Sequence, residues 1–80
     1  MGNKAKSKIQ AFVGLKVKEF REEQGLTQEQ FGERLNRSRT FISNRENPYS
    51  CESFSLNFLN ELAIEFHVSV RQFVPDGGLK

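Results

Sequence analysis

Cysteine and histidine are nearly missing from these 80 residues, with one of each, Cys51 and His67. A lone cysteine cannot build a disulfide framework, and one cysteine with one histidine cannot supply the ligand set of a zinc site within a single chain. Both scarcities suit a reducing, cytoplasmic compartment. Long apolar runs are missing too. No stretch approaches a membrane span or the core of a signal peptide, and Lys6 stands where a Met-Gly myristoylation signal needs serine or threonine. No nucleophile and base are paired, so no catalytic residue is assigned, the chain is not expected to be an enzyme, and no cofactor or metal is expected. A chain this short buries only about 60–65% of the surface its unfolded form exposes, which leaves a thin stability margin and argues against a deep pocket. These absences describe one small domain with no membrane contact.

Net charge is also scarce, at +2, but it is unevenly spread. Residues 1–45 hold ten Lys or Arg against five Glu, whereas residues 46–80 hold two basic residues against five acidic ones. The basic half is the half that would face a polyanion. Lys4, Lys6 and Lys8 sit in "MGNKAKSK", read as a flexible basic arm at 1–8 that adds non-specific attraction.

Helical periodicity is what the sequence does have. Ile9, Phe12, Val13, Val17 and Phe20 fall at three- and four-residue spacings and predict a first helix that stops where Gly25 can turn left-handed. Thr27 caps a second helix, with Gln30 completing a capping box. A third runs from Ser38 to about Glu46 and is ended by Pro48. A fourth starts near Ser53 or Ser55, with Leu56, Leu59, Leu62, Ala63 and Phe66 on one stripe, and Ser69 caps a short "VRQF" turn. The expected fold is all-α, with about five short helices between residues 9 and 74 and a tail at 75–80. Only Asn36 and Arg37 separate the second and third helices, which must therefore cross steeply. Gly32 supplies the room for that crossing, and Asn36 supplies a residue tolerant of positive φ. Residues 27–46 thus predict a helix-turn-helix.

"GLTQEQFGERLNRSRTFISNREN" resembles the helix-turn-helix of the Cro and phage-repressor family, whose usual pattern runs Gly-Leu-Thr-Gln, an apolar then a small residue, a turn, Ser-Arg, Ile-Ser and a closing Glu. Gly25, Leu26, Thr27, Gln28, Leu35, Ser38, Arg39, Ile42, Ser43 and Glu46 match residue by residue, and "LNELAIEFHVSVRQF" is similar to the family's last two helices. Among small members the restriction–modification controller proteins are most similar. The resemblance implies a lambda-repressor-like DNA-binding domain. The chain departs from the pattern at Arg45, usually apolar, at Pro48, usually glycine, and in "NPYSCES", about two residues longer than the usual connection.

On the third helix, Ile42 and Glu46 point inward with Ser38, while Thr40, Ser43, Asn44 and Asn47 point outward and Phe41 lies on the flank. Arg39 in the first turn is the expected principal base reader, because a guanidinium can bond guanine O6 and N7 as a fork. Thr40, Phe41, Ser43 and Asn44 complete the expected base-reading set. The resemblance implies that Gln28, Ser38 and Asn47 meet phosphates, with Arg37 in the turn beside them, and that Arg21 pairs with Glu46 for structure. Phe20, Phe31, Phe41, Phe54, Phe58, Phe66 and Phe73 belong to the core in preference to a single-strand stacking platform.

The expected function is a sequence-specific, double-stranded DNA-binding transcriptional regulator of bacterial or phage origin, a homodimer on a roughly palindromic operator. Leftover apolar residues such as Phe54, Phe58, Val70 and Val74 are expected at the dimer surface. The alternative is a protein-interaction module, an antitoxin or adaptor on the same fold, kept open by the acidic C-terminal half.

Overall fold

Hydroxyl side chains start all five helical elements of the described chain, residues 6–80 of a computed structural model. Ser7 caps α1 (Lys8–Glu23), Thr27 caps α2 (Gln28–Arg34), Ser38 caps α3 (Arg39–Glu46) and Ser55 caps α4 (Leu56–Phe66). Ser69 caps the closing 3-10 helix Val70–Phe73. In each case the side-chain oxygen accepts a backbone N–H from the first turn that has no partner within the helix, an arrangement worth about 1 kcal/mol per cap. In α1 and α2 the cap is reciprocal, because Gln10 and Gln30 reach back to the N–H groups of Ser7 and Thr27. No strand occurs among the described residues, and the fold is all-α.

The reciprocal cap at Ser7 corrects the expected arm at 1–8. Helix α1 begins at Lys8, so Ser7 and Lys8 belong to the folded unit, as does Lys6, whose side chain is partly buried. Lys4 lies outside the described residues.

Three of the helices end on residues at positive φ: Gly25 (73°) after α1, Asn36 (59°) after α2 and His67 (59°) after α4. At Asn36 this bend lets the Arg37 N–H donate to the Gly32 carbonyl at 2.7 Å and turns the chain at once into α3. The Arg37 carbonyl then lies directly against Gly32. A Cβ on Gly32 would run into that backbone oxygen and would stand 3.3 Å from the Ser38 carbonyl oxygen. Gly32 is therefore required by the steep α2–α3 crossing, at a helix-propensity cost of about 1 kcal/mol relative to alanine.

Val13, Val17, Phe20, Phe31, Leu35, Ile42, Leu59, Leu62 and Phe73 form the centre of the core, together with Phe54 and Phe58. Phenylalanine rings join its parts: Phe20 meets Phe66 and Phe73 edge-on at 5.3 and 5.4 Å, and Phe54 stacks on Phe58 at 4.6 Å. Two sequence expectations are corrected here. Leu56 is 73% exposed and leaves the α4 stripe, because the helix is rotated to bury Phe58 instead. Phe54 and Phe58 are 7% and 2% exposed, so neither is available to a second copy.

Replacing Gly32 by valine should abolish cooperative folding, since its β-carbon meets backbone and not a side chain that can swing away; overpacking of this kind costs typically about 1–3 kcal/mol or more. Thermal denaturation followed by circular dichroism measures this. A Gly32→Val chain that melts with the parent would show that the crossing is not close.

Candidate nucleic-acid interface

The inner side of α3 is tied down by one buried ion pair. Arg21 on α1 grips the Glu46 carboxylate with two parallel hydrogen bonds, Nε to Oε2 at 2.7 Å and Nη2 to Oε1 at 3.0 Å. Both side chains are nearly closed to water, at 10% and 3% exposure. Arg21 Nη1 also donates to the Leu26 carbonyl at 2.8 Å, and Gln28 Nε2 donates to Glu46 Oε1 at 3.0 Å. The hydrogen bonds to Glu46 push the Arg21 guanidinium above its already high range, against the opposing effect of burial. One carboxylate thereby fixes the end of α3 to α1 and to the start of α2. Ile42, fully buried, anchors the middle.

At the end of α3 a second cation closes on the backbone. Lys6 Nζ donates to the carbonyls of Arg45 and Asn47, both at 2.7 Å. Burial pushes the Lys6 ammonium below the usual lysine range, and the charge of Arg45 adds to the effect. The Asn47 side-chain oxygen accepts the Tyr49 N–H at 2.9 Å and shapes the loop that follows.

The outer side of α3 is left open. Arg39 and Thr40 are exposed, Ser43 and Asn44 are half-buried, and Arg39 makes no ion pair among the described residues. A hydrogen-bonding helix face backed by a rigid scaffold, with one uncommitted guanidinium at its start, is suited to reading base edges in a groove.

The helix-turn-helix family model matches residues 17–51, from the middle of α1 through the loop after α3. Residues 17–51 are a helix-turn-helix of the Cro/C1 type. A solved structure described as the hypothetical transcription factor NHTF from Neisseria shares the fold, with a TM-score of 0.72 and 18% identity, over 94% of this chain and 86% of that one. No curated relative matches the sequence.

Within the helix-turn-helix, several expected contact residues are already engaged. Arg37, expected at phosphate, donates to Glu61 on α4 at 2.8 Å and to the Leu35 carbonyl at 3.0 Å. Its position one residue after the left-handed Asn36 turns it toward α4. Gln28 has one amide hydrogen on Glu46 and, among the described residues, keeps the other free. Ser38 is exposed and not inward-facing, because its hydroxyl must reach the Phe41 N–H as the cap. Phe41 is half-buried, with its ring against Phe58 at 5.6 Å and the Arg45 guanidinium over it at 3.6 Å.

Sequence reading missed the roles of Arg45 and Lys6. Arg45 stands where an apolar residue is usual, yet it acts as one by lying flat on Phe41, while it also donates to Glu52 at 3.1 Å. Its spacing of four residues from Phe41 was the available signal. Lys6 gave none, since its contacts lie 39 and 41 residues away.

The charge split is likewise reinterpreted. Arg34 pairs with Glu65 at 2.9 Å, Arg37 with Glu61 and Arg45 with Glu52, so three arginines of the basic half are matched by glutamates of the acidic half. Each exposed pair contributes little to stability, about 0–1 kcal/mol. Their main effect is to leave Arg39 as the one α3 arginine without an ion pair among the described residues.

Truncating Glu46 to alanine should destabilise the chain by about 3–5 kcal/mol, because Arg21 would remain buried without its partner. The double replacement Arg21→Met with Glu46→Leu should lose clearly less. Urea denaturation of both variants tests this, and a single variant as stable as the parent would remove the pair from its structural role.

Proposed function

We propose that the protein is a sequence-specific, double-stranded DNA-binding transcriptional regulator of repressor or controller type, working in the cytoplasm of a bacterial or phage-infected cell. Its α3 enters the major groove. The observation that carries this reading is the division of α3 into an inner side fixed by Arg21, Gln28 and Lys6 and an outer side whose Arg39 and Thr40 are uncommitted. Arg39 is the principal base reader, with Thr40, Ser43 and Asn44 beside it and the exposed edge of Phe41 placed for thymine methyl groups. Gln28 through its free amide hydrogen, the Ser38 hydroxyl and the Asn47 amide set the register on phosphates. The antitoxin or adaptor alternative loses its support, because Glu52, Glu61 and Glu65 are occupied by arginines.

One recognition helix reads about four base pairs, so a homodimer on a roughly palindromic operator supplies the needed length. The surface that fits a second copy is the apolar strip of Ile9 (45% exposed), Leu56 (73%) and the half-buried Val74, which line one groove between α1 and α4.

Selection of bound duplexes from a random pool should return a two-fold symmetric site. Arg39→Ala should then bind that site with a loss of about 1–3 kcal/mol per recognition helix and relaxed preference at one base pair in each half-site. Its stability should change by about 0.5 kcal/mol or less. If Arg39→Ala weakened all duplexes equally, Arg39 would be a phosphate contact. If no duplex were enriched, the DNA reading would fail.

Leu56→Glu should turn a dimer into a monomer in sedimentation without lowering the melting temperature, since Leu56 contributes little to the core. A variant that stays dimeric would place the interface elsewhere.

A further inference from the structure

We propose that Lys6 is a positioning residue for the recognition helix: its ammonium clamps the carboxyl end of α3 to the start of α1 and so sets the angle at which the reading face is presented. The inference rests on the DNA-binding reading above.

The last carbonyls of a helix have no partner within it and carry the negative end of its dipole. At the end of α3, Lys6 Nζ takes two of the carbonyls in this region, those of Arg45 and Asn47, at 2.7 Å each. The Asn47 carbonyl also accepts the Ser50 N–H at 3.1 Å, so the same oxygen joins the ammonium to the loop after α3. On the facing helix stands Gly14. A Cβ there would lie 2.8 Å from the Arg45 carbonyl oxygen and 3.8 Å from Lys6 Nζ. The absence of a side chain on Gly14 lets α1 come close enough for lysine to span the gap.

Lys6 immediately precedes Ser7, whose cap fixes the start of α1, so the ammonium is held at both ends of its reach. Glu46 holds the end of α3 to α1 and α2 through its side chain. Lys6 adds a second attachment, on the main chain. A tilt moves Asn44 and Asn47 relative to the bases while leaving the buried Ile42 in place. Lys6 therefore acts on recognition through α3, and not as one more phosphate-attracting lysine.

The two roles separate experimentally in the full chain. Lys6→Met keeps the aliphatic stem and removes the ammonium. Affinities are measured for the duplex enriched from the random pool and for its scrambled sequence, over a range of salt and well below the melting temperature. The expected result is a loss of about three- to tenfold on the enriched duplex, less than about twofold on the scrambled one, and an unchanged slope of log K against log salt. In the free protein, amide exchange at Asn47 and Ser50 should accelerate while Leu62 stays protected. That readout does not depend on DNA.

A slope shallower by about 2 for the dimer, with both duplexes weakened alike, would make Lys6 a phosphate contact and overturn the proposal. Unchanged exchange at Asn47 and Ser50 would overturn the clamp itself. Failure of the parent chain to enrich any duplex would remove the premise, and the exchange measurement would still decide whether the clamp exists.

Discussion

The Glu46 carboxylate is the point through which three helices are referred to one another. Its two oxygens take the fork of Arg21 from α1 and the amide of Gln28 from α2, and the residue itself is the last of α3. Burying two charges is costly unless geometry and additional hydrogen bonds compensate. Here the Leu26 carbonyl and the Gln28 amide supply those bonds, and no buried side-chain polar atom among the described residues lacks a partner. What the pair provides is direction, since a forked contact fixes orientation as well as distance. A hydrophobic core alone would hold α3 in place but resist its rotation less.

Around this pair the small domain places its charges economically. The glutamates that follow α3 each meet an arginine from the segment that precedes α4, and those arginines lie on aromatic faces: Arg34 over Phe66 at 4.4 Å and Arg45 over Phe41 at 3.6 Å. Guanidinium stems and planes thus cover phenylalanine rings that a chain of 80 residues has too little other surface to bury. The same contacts withdraw positive charge from the solvent. A surface built this way has a weak general pull on polyanions, and the few uncommitted cationic groups stand out against it.

The parts of this fold that were legible in the sequence are those governed over three or four residues. Thr27 with Gln30, Ser69 before "VRQF", Gly32 beside the turn and Asn36 within it each carry a local rule that the chain obeys. Leu56 misled because three- and four-residue spacing admits neighbouring stripes, and only the position of Phe58 against Phe54 and Phe41 selects one. At the candidate interface, the inward placement of Ile42 and Glu46 followed from helical geometry while that of Ser38 did not, and the resemblance brought Arg21 to Glu46. The engagement of Arg37 with Glu61 and of Lys6 with the end of α3 was hidden, because long flexible side chains choose partners by proximity in space, which spacing along the chain does not encode.

Two glycines bracket α3. Gly32 receives the backbone just ahead of its first turn, and Gly14 receives the backbone of its last. Main chain meets main chain at both ends, so the seat of α3 is defined without reference to most of its side chains; only Ile42 and Glu46 are buried. The exposed positions 39 and 40 can then be exchanged without disturbing what lies beneath. In evolutionary terms the helix behaves as an interchangeable key blank held in a fixed lock-maker's vice: a lineage carrying this scaffold can alter a few solvent-facing letters with the cost of refolding already avoided.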